Sequence, residues 1–166
     1  MNKNIKVFYL YGSIGIGKTI YAKWLFRDIH FDDIKFVKGK KYYWIANGDT
    51  EYALYDNFFD CDVPYKEFIN LIDNKINPIY IKGKGKKFQN NYKYIIITSI
   101  QNPSTLWISL QKSGKINSMQ WLEKMCVINM DVYYKENPGA LEKYIKDIGI
   151  EKKDENKENL NYLSNK

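Results

Sequence analysis

Arginine and histidine are almost missing from this sequence. Arg27 is the only arginine among 26 basic residues, and His30 is the only histidine. Cysteine is nearly as scarce. Cys61 and Cys126 lie far apart, which excludes a disulfide framework and any Cys/His metal-ligand spacing. The expectation is two reduced, partly buried thiols and, with a single histidine, no zinc site. Long hydrophobic runs are missing too. The longest pure stretch, around Ile95 to Ile97, is strand-sized, far short of a bilayer span. After Met1-Asn2-Lys3-Asn4 no signal-peptide hydrophobic region precedes the first glycine turn, so a soluble intracellular protein is expected.

What is present suits one folded domain. The chain has 166 residues, 45% of them hydrophobic and 16% aromatic, well above a disordered composition. The net charge is +7, with 19 acidic residues against the 26 basic ones. Such an excess suits a polyanionic partner such as nucleic acid, although abundant Ile, Lys, Asn and Tyr also fit a biased genome.

Ile5 to Tyr11 reads as a buried strand, apolar, β-branched and aromatic, ended by a glycine. Thr19 to Ile29 reads as a helix, with Ile20, Trp24 and Leu25 on one face. Tyr42-Tyr43-Trp44 reads as a short strand or an aromatic surface, and packing against a sheet is the commoner fate of such a cluster. Tyr52 to Tyr55 reads as a second buried strand ending at Asp56, and Pro64 opens a helix with Phe68, Leu71 and Ile72 as its apolar face. Ile79 to Ile81 and the stretch around Phe88 flank Lys82-Gly83-Lys84-Gly85, the pattern of a β-hairpin with a basic tip. Tyr94 to Ser99 is a third strand. Met119 to Met130 reads as a helix, and Ala140 to Ile148 as a short amphipathic one. Strands alternating with helices predict an α/β fold over residues 1–150, with a parallel central sheet flanked by helices and a basic hairpin insertion. Residues 151–166 read as a charged, frayed tail.

Gly12-Ser13-Ile14-Gly15-Ile16-Gly17-Lys18-Thr19 fits G-x-x-x-x-G-K-[ST] at every fixed position, with a strand before it and a helix after. The chemistry explains each residue type. Glycines let backbone N–H groups face phosphates at the positive end of a helix. Lys18 supplies a point charge for the β- and γ-phosphates of ATP, and the Thr19 hydroxyl is a hard oxygen ligand for Mg²⁺. A P-loop enzyme also needs a carboxylate at a neighbouring strand end, and Asp56 supplies it. The next residue, where hydrolytic relatives often carry a second acid, is Asn57. An amide can orient water but cannot take its proton. Glu51, Asp60 and Asp62 are the nearby acids that could substitute.

The order of these features resembles the superfamily 3 helicase domain of replication-initiator (Rep) proteins of small circular single-stranded DNA viruses and related plasmids, the phytoplasma-plasmid branch above all. The resemblance runs from about Val7 to about Met130. Four stretches carry it: Tyr11 to Thr19 as Walker A; Leu54-Tyr55-Asp56-Asn57-Phe58 as Walker B, followed by Glu67 to Asp73; Ile81 to Gly85 as the basic hairpin; and Ile95 to Pro103 with Leu106-Trp107 as motif C. Gln120-Trp121-Leu122 then echoes a helix that follows motif C.

The resemblance implies an ATP-driven motor that assembles as a homo-oligomeric ring, a hexamer in that family, around single-stranded DNA or RNA. Lys82 and Lys84 would line the channel and hold strand phosphates. Gln101 or Asn102 would supply the polar sensor of motif C, because Ile100 stands at the family's asparagine position. The workplace would be the cytoplasm of a bacterial host, or the host cell of a virus. Three departures weaken catalysis: Asn57, Ile100, and Glu123-Lys124 where relatives often carry paired arginines. Lysine lacks the planar fork of an arginine finger. Arg27 is expected in a surface salt bridge on its own helix. Lacking the histidine ligands of a nicking domain, the chain is expected to be a fragment, split product or degenerate relative of a full Rep. The alternative function is a remnant that binds ATP and nucleic acid, or joins full-length rings, without unwinding. A small nucleotide kinase fits less well, since such kinases clamp phosphoryl groups with several arginines.

Overall fold

A computed structural model describes residues 4–38, 43–73, 79–80, 87–88 and 91–149. The elements are β1 (Lys6–Tyr11), α1 (Lys18–Leu25), β2 (Asp32–Asp33), β3 (Lys35–Val37), β4 (Tyr43–Ile45), β5 (Tyr52–Tyr55), α2 (Tyr65–Ile72), β6 (Ile79–Tyr80), β7 (Lys87–Phe88) and β8 (Tyr94–Ser99). A 3₁₀ turn (Pro103–Thr105) follows, then α3 (Ile108–Lys112), α4 (Met119–Leu122), β9 (Met125–Asn129), α5 (Met130–Glu136) and α6 (Ala140–Asp147).

Five strands form a parallel sheet in the order β2-β5-β8-β1-β9. Its central strands are apolar on both faces, as parallel strands covered by helices must be. The period of two divides their side chains cleanly. Val7, Tyr9, Ala53, Tyr55, Ile95 and Ile97 face one core with Trp44, Phe58, Phe68 and Trp121. Leu10, Leu54 and Ile96 face the other, with Tyr21, Ala22, Phe26, Met130 and Tyr144. Two short antiparallel pairs, β3-β4 and β6-β7, decorate the sheet. No helix among the described residues is long and apolar enough to cross a membrane.

The α/β class, the parallel sheet and strands β1, β5 and β8 match the sequence expectation. Trp44 is buried, its ring 5.2 Å from Phe36 and 6.0 Å from Tyr55, so this aromatic serves the core. Three expectations need correction. The helix expected over Met119 to Met130 is only one turn, α4. Met125 to Asn129 instead pairs with β1 in register from Val7↔Met125 to Tyr11↔Asn129. The apolar run Met-Cys-Val-Ile-Asn satisfies the open edge of β1, and a run that short carries no decisive period. Helix α1 also stops at Leu25 rather than Ile29. Asp28 takes a left-handed backbone (φ 62), and Arg27 and Ile29 bond three residues back, to Trp24 and Phe26. Cys61 and Cys126 are free thiols and both exposed, not partly buried. The tail 151–166 lies outside the described residues.

Candidate functional site

In a parallel sheet all strands end on one side, and that side is where loops converge. Pairing of Tyr11 with Ser99 and with Asn129 brings the ends of β1, β8 and β9 level. Tyr55 pairs with Ile97, so the residue after β5, Asp56, falls beside Thr98. The strand order therefore inserts β8 between the glycine loop and Asp56.

The glycine loop runs from β1 into α1 as the motif requires. Gly15 and Gly17 have positive φ (74 and 106), conformations in which a side chain would be strained. At Gly17 a Cβ would also lie 2.7 Å from Leu141 Cδ1 and 3.1 Å from the Tyr134 hydroxyl, which donates to the Gly17 carbonyl at 2.8 Å. A Cβ on Gly12 would lie 2.9 Å from Asp131 Oδ2. Around Gly15 a Cβ would meet nothing within 4 Å, so the loop apex is open. No side chain caps α1, whose first N–H groups have no intrahelical acceptor. An uncapped helix start next to a glycine loop can receive an anion.

Lys18 is buried and folds back on its own loop. Its Nζ donates to the carbonyls of Gly12 (2.9 Å) and Ser13 (2.7 Å). Burial lowers its pKa below the ordinary lysine value, while the charges of Asp131 and Asp56 act in the opposite direction. The Thr19 hydroxyl donates to Asp56 Oδ1 at 2.7 Å, so the two expected metal-site residues already touch. A hydroxyl and a carboxylate are the hard oxygen donors that Mg²⁺ takes. A cavity of about 270 Å³ is lined by Gly15, Gly17, Lys18, Thr19, Asn57 and Ile100 among others. It adjoins a cleft of about 500 Å³ that reaches Asn102 and Asp131.

The other expected residues divide. Asn57 lines the cavity, in a left-handed backbone (φ 57) that asparagine tolerates. Asn102 lines the adjoining cleft, but its Oδ1 accepts from the Ser104 N–H and hydroxyl as the cap of the 3₁₀ turn. Gln101 is not brought to either space. Its Oε1 accepts the Asp60 N–H at 2.8 Å, so this amide holds the loop after Asp56 instead. Among the substitute acids, Asp60 accepts from the Trp107 N–H (2.9 Å) and Glu51 pairs with Lys93; neither lines the cavity, nor does Asp62. Among the described residues Arg27 forms no salt bridge. It lies over its own helix's Trp24, 4.3 Å from the ring, and donates to the Trp24 carbonyl. Lys124 pairs with Asp73 at 2.7 Å. Lys82 and Lys84 lie outside the described residues, although the paired flanks Ile79↔Phe88 and Tyr80↔Lys87 have the register of the expected hairpin.

Two residues at the site were not singled out from sequence. Thr98 is fully buried; its hydroxyl donates to Asp56 Oδ1 (2.6 Å) and accepts the Asn57 N–H (2.9 Å). Asp131 accepts the Ser13 N–H at 2.8 Å and clamps the start of the glycine loop. The signal for Asp131 was an acid just past an apolar run. For Thr98 it was the Thr98-Ser99 pair of hydroxyls ending an otherwise apolar strand.

No family model matches the chain, and no curated protein matches it in sequence.

Proposed function

We propose that this chain is the ATPase domain of a replication-associated superfamily 3 helicase, which spends ATP to move along or unwind nucleic acid, with single-stranded DNA favoured over RNA. The observation that carries the reading is the meeting of an intact glycine loop, Thr19, Asp56 and the Thr98 end of β8 at one end of a parallel sheet. In this reading Lys18 leaves its loop carbonyls for the β- and γ-phosphates. Loop N–H groups and the start of α1 hold the phosphate oxygens. Thr19 and Asp56 hold Mg²⁺, which when bound offsets phosphate charge. Thr98 keeps the Asp56 carboxylate aimed, and Asn57 orients the attacking water. Subunits form a homo-oligomeric ring, a hexamer by resemblance, with Lys82 and Lys84 on the strand. No membrane is needed, and the setting is the cytoplasm of a bacterium or the interior of a virus-infected cell.

A second reading is favoured by specific observations. The cavity wall carries an amide where a second acid would stand, and Asp60 is committed to Trp107. The only arginine stacks on its own helix, and loss of an arginine finger costs a factor of about 10³ or more in turnover. A Rep remnant that binds ATP and assembles without unwinding fits these departures. ATP turnover with Mg²⁺, with and without single-stranded DNA, separates the two, with Lys18→Ala as the blank. Strand-stimulated turnover above the blank supports the motor. Tight binding of ATP without turnover supports the remnant. ATP affinity unchanged in Lys18→Ala would sink both.

A further inference from the structure

At the opposite end of the sheet, where β2 and β5 begin, three side chains meet that the nucleotide reading does not use. His30 precedes β2, Asp32 opens it, and Asp49 lies in the loop leading to β5. Each offers one ligand atom, and these atoms lie within 4.8 Å of one another. His30 Nε2 is already 3.5 Å from Asp49 Oδ1. Asp32 differs from its two exposed partners. It is 1% exposed, and its oxygens are treated unequally. Oδ2 accepts the Gly48 N–H (2.7 Å) and the Tyr92 hydroxyl (2.6 Å). Oδ1 is buried and has no hydrogen-bond partner among the described residues.

A buried carboxylate oxygen without a partner is costly, and native structures resolve that cost with a donor, a water or a cation. The surroundings argue for a cation. Asp49 adds a second carboxylate, so charge of the same sign accumulates around Asp32. Tyr92 and Gly48 donate to the other oxygen, as outer partners hold a ligating carboxylate in built metal sites.

The geometry points to a divalent transition-metal site formed by His30, Asp32 and Asp49, of the zinc or manganese class. One imidazole with two carboxylates suits those ions better than Ca²⁺ or Mg²⁺, which take all-oxygen shells. Shifts of the exposed His30 and Asp49 side chains would close the three atoms to coordination distance, with water completing the shell. The ion would tie the turn after α1 to the edge strand and to the loop entering β5, remote from the glycine loop.

The test uses the full chain carrying Cys61→Ser and Cys126→Ser, because both thiols are exposed and would bind zinc themselves. Zn²⁺ is titrated by calorimetry without nucleotide, and the imidazole resonances of the sole histidine are followed by NMR. One Zn²⁺ per chain is expected, with the His30 signals shifting at the same equivalence and broadening with Mn²⁺. His30→Gln and Asp49→Asn each change an exposed side chain and should weaken binding about tenfold or more, at least the loss seen when an outer partner is removed. Lys18→Ala should leave the titration unchanged, which separates this site from the nucleotide site. Two results overturn the proposal: Zn²⁺ binding undiminished in both ligand variants, or His30 resonances unmoved at millimolar Zn²⁺, which would leave a bound water as the partner of Asp32.

Discussion

At the scale of single residues, Thr98 decides how well Asp56 is held. Its hydroxyl both donates to the carboxylate and accepts the following N–H, so one side chain fixes the position of Asp56 and the direction of the backbone after it. Thr98→Val keeps the shape and removes both bonds. The stranded Asn57 N–H should cost about 1–3 kcal/mol in urea unfolding, and ATP turnover should fall with it. Thr98→Ser restores the hydroxyl and should restore turnover; failure of that rescue would mean the methyl group, not the hydrogen bonds, matters. Asn57 invites the converse change. Its left-handed backbone is also open to aspartate, so Asn57→Asp should fold normally. Turnover should rise as a carboxylate capable of taking a proton reaches the cavity. Unchanged turnover would mean that the missing acid is not what limits the enzyme.

At the scale of elements, β1, α1, β5 and β8 were legible because their signals are local: apolar runs, a glycine loop and a 3.6-residue stripe. β9 was not. Whether Met125 to Asn129 coils or extends depends on the free edge of β1, far away in sequence, and no window of the chain contains that edge. Misreading β9 also hid Asp131, because an acid within a supposed helix terminus has no visible relation to Ser13. Gln101 shows the reverse case: a sensor by its place in motif C, but drawn to the Asp60 N–H by tertiary packing. The α5-α6 pair braces the loop from outside through Tyr134 and Leu141 against Gly17. Tyr144 holds that pair on α1. It is 5% exposed, its ring is 4.2 Å from Trp24, and its hydroxyl shares a hydrogen bond with Tyr133. Tyr144→Ala should cost about 3–5 kcal/mol, the range for emptying a large buried aromatic site, with a drop in ATP affinity as the brace on Gly17 loosens. If denaturation shows the loss and affinity does not move, α6 is only core and not a support of the phosphate loop.

At the scale of the whole molecule, an ATPase motor would divide two kinds of work across the sheet. Nucleotide chemistry would belong to the carboxyl ends of the strands, where Gly12, Asp56, Thr98 and Asp131 converge. The strand contact would be made elsewhere, by unneutralised basic charge. The net charge of +7 is carried almost wholly by lysine, which holds phosphates as a point charge and reads no sequence. Lys82 and Lys84 fall in sequence between the paired flanks β6 and β7. If each holds one phosphate of a single strand, Lys82→Ala with Lys84→Ala removes two counterion-releasing contacts. The slope of log affinity against log salt should then flatten by about 1.4. Basal ATP turnover should persist while its stimulation by single-stranded DNA is lost, since neither lysine belongs to the glycine loop or to the Thr19–Asp56 pair. An unchanged salt slope would move the strand to another face of the molecule. Loss of basal turnover along with stimulation would instead mean that the hairpin supports the fold of the ATPase itself.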